Sequence, residues 1–168
     1  KPQIKKEINL KGKTVMPSFV ECHTHSVFAG TRRDEFELRN QGVSYQEIAR
    51  KGGGILSTQR ELDKISANKL LELTQKRVNK FIQQGVSVIE IKSGYGLDLK
   101  NEIKSLAVLK KIKGAQVVPT FLGAHGIPKK FHDEKEYLEF LKYQVLPLVK
   151  KKKLAERVDI FIEKGFFS

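Results

Sequence analysis

Four short runs rich in Val, Ile and Phe, at 14–21, 86–92, 116–122 and 158–163, are separated by stretches whose apolar residues recur at helical spacing. This alternation constrains the fold more than any other feature. Strands that follow one another through helices pair in parallel, with the helices packed outside the sheet. Each run is too short for a helix and has strand composition. After the second run, Asp98 precedes a segment with Ile103, Leu106, Ala107 and Ile112 on one face, ended by Gly114. After the third, Asp133 opens another helix, with Tyr137, Leu138, Leu141, Val145 and Leu148 at helical spacing and Pro147 kinking its end. The first and second runs are joined by a longer link, 26–85. It contains a capping-box pattern, Ser44-Tyr45-Gln46-Glu47, that starts a short helix to about Arg50, then a flexible break at Gly52-Gly53-Gly54. A long amphipathic helix from about Ala67 to Gln84 follows, with Leu70, Leu71, Val78, Phe81 and Ile82 on one side and Gly85 as its stop.

Two α/β architectures fit this order: an open doubly wound sheet and part of a (β/α)8 TIM-like barrel. The first predicts a Gly-rich phosphate loop after the first strand, and neither a G-x-G-x-x-G nor a Walker sequence occurs. Polar residues instead collect at the carboxyl ends of the strands: His23 and His25, then Ser93-Gly94-Tyr95, then His125, then Glu163. Barrel enzymes carry their chemistry on that rim. Four strands cannot close a barrel that needs eight, so the pattern predicts a half-barrel.

A single cysteine, Cys22, excludes an intramolecular disulfide and a cysteine-rich zinc module. No apolar run approaches the ~18 residues of a membrane span, and the first residues lack the apolar stretch of a secretory signal. The expected location is therefore the cytoplasm. The net charge of +13 also suits a nucleic-acid-binding module, but all except seven of the 32 cations are Lys, scattered along helical segments. Phosphate readers favour Arg and interleave exposed aromatics, whereas here Trp is absent and most Phe residues sit inside apolar runs. The lysines read as solvated faces, and Lys150 to Lys153 as complements to the negative end of a helix dipole. No nucleic-acid or membrane partner is expected.

The strongest local signal is an apolar strand running into His23-x-His25. Side chains two apart on a strand share a side, so both imidazoles can reach one metal ion while Cys22 and Thr24 face away. Two ligands leave a catalytic metal incomplete, and His125, His132 and Glu163 are the candidates for a further one. His132 adjoins a helix start, where a surface or capping role competes. His125 ends an apolar run between Gly123 and Gly126, where a contact to metal or to substrate and a plain polar rim position all stay open.

Taken together, 17–32 around the His pair, Gly52-Gly53-Gly54-Ile55, Glu90-Ile91-Lys92-Ser93-Gly94-Tyr95-Gly96-Leu97, Thr120-Phe121-Leu122-Gly123-Ala124-His125 and 163–168 resemble the imidazolonepropionases of the amidohydrolase superfamily. The likeness covers nearly the whole chain in order. It departs at Ser18, Glu21 and Ile162, where Gly, Asp and Cys are usual. The resemblance implies that His23 and His25 are ligands of one zinc or iron ion, and that Arg32, Tyr95 and His125 contact the substrate. His125 thereby enters the catalytic set, through substrate binding or oxyanion support. A guanidinium and a phenol suit a carboxylate-bearing heterocycle. The implied reaction is hydrolysis of the cyclic amide C–N bond of 4-imidazolone-5-propanoate to N-formimidoyl-L-glutamate in histidine degradation. Another cyclic amidohydrolase or a deaminase is the alternative within the superfamily.

By the same resemblance, the remaining metal ligands and the proton acceptor lie beyond Ser168. The expected organisation is a remnant of a small β domain at 1–15 and the first half of a barrel at 16–168. Such a half-barrel is expected to be inactive alone, with an exposed sheet edge, and to need the missing carboxyl-terminal half. A homodimer is compatible with the resemblance.

Overall fold

A computed structural model describes residues 6–163 and 167 of the chain. Its elements are β1 (Phe19–Thr24), α1 (Arg33–Asn40), α2 (Tyr45–Arg50), α3 (Ile55–Lys64), α4 (Ala67–Gln83), β2 (Val86–Lys92), α5 (Leu99–Leu109), β3 (Gln116–Ala124), α6 (Glu134–Phe140), α7 (Leu146–Lys151) and β4 (Arg157–Ile160). All four strands lie in one parallel sheet in the order β1-β2-β3-β4. A doubly wound sheet reverses its order at a switch point. This sheet does not, and strands laid side by side in chain order are half of a TIM-like barrel, as the alternating pattern predicts.

Local chemistry accounts for the element ends. Asp98 accepts from Asn101 N–H at 2.7 Å, Asp133 from Glu136 N–H at 2.8 Å and Ser66 from Lys69 N–H at 3.2 Å. Each cap satisfies a helix donor that would otherwise lack a partner. Pro147 has no N–H, and in a continuous α-helix its ring would crowd the carbonyl four residues earlier. The chain instead widens into a π turn at Leu141–Val145 and restarts as α7 with Pro147 in its first turn. The predicted kink is therefore an inserted π turn.

Three expectations need correction. The first strand starts at Phe19, not at 14, because its neighbour β2 begins at Val86, directly opposite, and residues 14–18 join no ladder, although the Ser18 and Ser87 hydroxyls share a hydrogen bond. The last strand ends at Ile160, followed by a single bridge between Ile162 and Phe167, while residues 164–166 and 168 of the 163–168 motif lie outside the described residues. The glycine triplet is not a flexible break. Gly53 donates to the Ile48 carbonyl at 3.0 Å, and a Cβ there would meet that carbonyl at 3.0 Å and Glu35 Oε1 at 2.9 Å. Gly54 then begins α3, a helix the pattern did not show, as it did not show α1.

The core lies between sheet and helices, built from Ile89, Ile91 and Phe121 of the strands against Leu70, Val78, Leu106, Tyr137 and Val145 of the helices. Tyr137 is fully buried, and its hydroxyl donates to the Gly123 carbonyl at 3.0 Å. Tyr137→Phe keeps the ring but removes this hydrogen bond, leaving the carbonyl to His125 N–H alone at 2.9 Å, at a cost of about 0.5–1.5 kcal/mol. A lower denaturation midpoint with an unchanged slope checks this, and an unchanged midpoint contradicts it.

The outer strands are uncovered. On β1, Phe19 is 54% and Val20 63% exposed, and on β4, Val158 is 63% exposed. Unpaired edges carrying apolar side chains are association surfaces. Residues 6–18 form no strand, only a turn at 11–12 closed by Lys13 N–H on the Leu10 carbonyl at 3.0 Å. Many helix lysines pair with glutamates one turn away, including Lys69 and Lys76 on Glu72 and Lys51 on Glu47. Among the described residues no helix is long and apolar enough to cross a membrane.

Candidate active site at the carboxyl ends of the strands

The His-x-His segment does not alternate regularly. The β1–β2 register slips between Glu21 and Thr24, so three steps on β1 match two on β2, from Ile89 to Ile91. Such a bulge re-aims the side chains around it. Cys22 is exposed, whereas Thr24 is buried and donates to the Glu90 carbonyl at 2.9 Å. These two residues do not share a side, contrary to the simple alternation. The imidazoles nonetheless converge, with ring centroids 5.4 Å apart.

His25 is the hub of an aromatic cluster. It stacks on His125 at 4.8 Å and lies 5.7 Å from Tyr95, which is 5.2 Å from His125. Phe161 closes the far side of His125 edge-on at 5.8 Å. Strand order explains the meeting: β1, the loop after β2 and the end of β3 are neighbours at one rim. Burial, with His125, His23 and Lys92 adding to it, holds the His25 imidazole down to about 4. His125 is also lowered by burial, against a hydrogen bond to Gly94. Near neutral pH His25 is therefore a neutral ring with a free lone pair.

Arg32 joins this cluster from the loop after β1. Burial opposes its charge, but a hydrogen bond and ion pair with Glu35 at 2.7 Å outweigh burial and raise its pKa. Burial also raises the Tyr95 phenol, and the charge of Arg32 with its hydrogen bond to the phenol opposes that rise. Arg32, Tyr95, His125, His25 and His23 thus form one continuous group. His132 lies apart, at the start of α6, where its backbone N–H donates to Glu136 at 2.8 Å. Glu163 is exposed beyond β4. Neither completes a ligand set, and among the described residues no three His, Cys, Asp or Glu side chains gather into one.

Several residues at this rim were not singled out from the sequence. Lys92 Nζ bridges Glu90 Oε1 and Asp159 Oδ2, each at 2.8 Å, and Thr120 donates to the same Glu90 oxygen at 2.6 Å. Polar residues two apart in the otherwise apolar run 86–92 were the available signal. Glu35 holds Arg32 and also accepts from Gly54 N–H at 2.9 Å, tying that arginine to the glycine turn. Tyr45, read only as part of a capping box, presents its ring 5.9 Å from the Arg32 guanidinium carbon.

No family model matches the chain. Among curated proteins it is 57% identical over 162 residues to an imidazolonepropionase of Bdellovibrio bacteriovorus, covering 96% of this chain and 38% of that relative. It is 48% identical to an imidazolonepropionase of Vibrio vulnificus, covering 94% and 40%, and 45% identical to one of Christiangramia forsetii, covering 96% and 40%. Over nearly its whole length, with the strand-tip cluster inside the matched region, this chain is a sequence relative of the imidazolonepropionases, and it spans about 40% of the length of the curated relatives it matches.

Proposed function

We propose that this chain supplies the first half of a cytoplasmic, metal-dependent barrel that hydrolyses the cyclic amide C–N bond of 4-imidazolone-5-propanoate to N-formimidoyl-L-glutamate, in histidine degradation. One observation carries this reading. His23, His25, Tyr95, His125 and Arg32 meet at one rim of the sheet, in a chain 57% identical to a protein named imidazolonepropionase. The uncovered edges of β1 and β4 support the need for further strands, supplied by a carboxyl-terminal half of the barrel. Residues 1–15 are read as the remnant of a small β domain, of which residues 1–5 lie outside the described residues.

The residues fit a metal ion. His25 Nδ1 is buried with no hydrogen-bond partner, and two imidazoles at 5.4 Å are borderline nitrogen donors that suit zinc or iron alike. His23 and His25 would hold it, with the other ligands contributed by the completing half. Held there, an ion would supply Lewis-acid chemistry, lowering the pKa of a water toward neutral and polarising a carbonyl.

The chain's own residues bind and orient the substrate. Arg32 can hold the propanoate by paired charge-assisted hydrogen bonds, with Glu35 keeping the guanidinium in place from its other side. Tyr95 lies between that arginine and the histidines, so its phenol can direct the carboxylate while its ring covers the heterocycle. The Phe28 ring stands edge-on to Tyr95 at 6.3 Å and packs on Arg77, which limits water on that side. Lys92 is locked between Glu90 and Asp159, which fixes all three side chains behind the rim.

The test is a chimera in which this chain replaces the matched segment of the Bdellovibrio relative. Turnover of 4-imidazolone-5-propanoate that is lost on chelation and restored by zinc or iron supports the reading. A folded, metal-loaded chimera that leaves this compound untouched, or that releases ammonia from an amino-substituted heterocycle instead, refutes it.

A further inference from the structure

Glu102, on the core-facing side of α5, is fully buried, and among the described residues no cation pairs with it. Its ligands are backbone. Oε1 accepts from Gly96 N–H at 2.7 Å, Gly94 N–H at 3.1 Å and Leu97 N–H at 3.2 Å, and Oε2 accepts from Gly94 N–H at 3.2 Å. Ser93 adds a side-chain hydrogen bond. Burial pushes the Glu102 acid up to about 7 against these hydrogen bonds, and a carboxyl group inside a ring of converging N–H groups occupies a nest, which fixes the loop that makes it. Here that loop is 93–97, which carries Tyr95. Its two glycines are obligatory. Gly94 has φ +108°, and a Cβ there would press on His125 at 3.0 Å, while a Cβ on Gly96 would collide with the backbone N of Glu102 and meet Asn101 C at 2.6 Å.

The grip continues beyond the loop. The Gly94 carbonyl lies 3.0 Å from His125 Nδ1. A carbonyl oxygen only accepts, so Nδ1 carries the proton and Nε2 of a neutral ring carries the lone pair. His125 in that tautomer accepts a hydrogen bond from a substrate N–H and has none to give to an oxyanion.

We propose that Glu102 is the positioning residue of this site: by clamping the N–H groups of Gly94 and Gly96 it sets both the Tyr95 ring and the Nδ1–H tautomer of His125, making His125 Nε2 the acceptor that selects substrates presenting a ring N–H. The proposal rests on the hydrolase reading for the substrate, but not for the geometry. The geometry and the substrate can therefore fail separately.

The first measurement needs no variant. In the 15N-labelled protein, ring nitrogen shifts assign the His125 tautomer. A pyrrole-like Nδ1 and pyridine-like Nε2 are expected, and the reverse overturns the proposal outright. In Glu102→Gln one acceptor oxygen becomes an NH2 donor, so even with the amide oxygen at the Oε1 position the acceptor at Oε2 facing Gly94 N–H is lost, and His125 should shift to a mixture of tautomers. Ser93→Ala, which removes one donor and keeps the carboxylate, should shift it less in the same direction and serves if the Gln variant does not fold. An unchanged tautomer in a folded Glu102→Gln protein contradicts the positioning role. In the chimera described above, Glu102→Gln should lower kcat/KM for 4-imidazolone-5-propanoate at least tenfold, and by less than twofold for its ring-N-methylated analogue. Equal losses on both compounds would show a merely structural role. A wild-type chimera with no turnover but the expected tautomer would sink the substrate reading and leave the geometry standing.

Discussion

His25→Ala is expected to lower turnover by the completed barrel more than about 100-fold, because removing an outer partner of a metal ligand already costs ~10–100-fold and this change removes the proposed ligand itself. The position explains why its neighbours on β1 cannot substitute. His25 has a buried Nδ1 without a partner, stacks on His125 and is held neutral, with its pKa near 4. Cys22 is exposed and Thr24 is committed to the Glu90 carbonyl. Metal content measured on the purified variant should fall together with turnover. A variant that retains stoichiometric metal and more than a tenth of its activity would remove His25 from the ligand set.

Arg32→Lys is expected to raise KM for 4-imidazolone-5-propanoate by about 10–100-fold with a small change in kcat, since a charge-assisted hydrogen bond contributes about 1.5–3 kcal/mol and an ammonium cannot pair with both carboxylate oxygens in one plane. The guanidinium already spends donors on Glu35 and meets the Tyr95 phenol. A lysine could keep the ion pair or reach the substrate, but not both. Binding lost equally in the ground and transition states appears in KM alone. A change confined to kcat would instead place Arg32 near the reacting bond.

The parts of the fold written in local chemistry were legible from the sequence. Asp98 and Asp133 cap helices, the 67–84 pattern is a helix ending before Gly85, and β2 and β3 fall where the apolar runs place them. The missed elements lack such signals. Helix α1 buries no residue and is held partly by the Arg33–Glu37 pair, so no apolar period marks it. Helix α3 places Thr58 between Ile55 and Leu62 on its buried face, which interrupts the pattern.

The site divides in the same way. His23, His25, Arg32, Tyr95 and His125 stand in distinctive strings, and the structure brings them to one rim of the sheet. Glu35 reaches Gly54 and Lys92 reaches Asp159 across 19 and 67 residues, and Glu102 turns back from α5 onto the loop before it, relations that appear only once strands and helices are assembled. The bulge in β1 belongs to the same class, because a register slip is a property of a strand pair and not of one strand.

The central claim concerns which bond the completed site breaks, and product analysis in 18O-labelled water tests it most directly. The chimera carrying this chain should convert 4-imidazolone-5-propanoate to N-formimidoyl-L-glutamate with one 18O in the carboxylate formed from the ring carbonyl. Label in a formyl group, release of ammonia, or no product from a folded and metal-loaded protein would contradict the account.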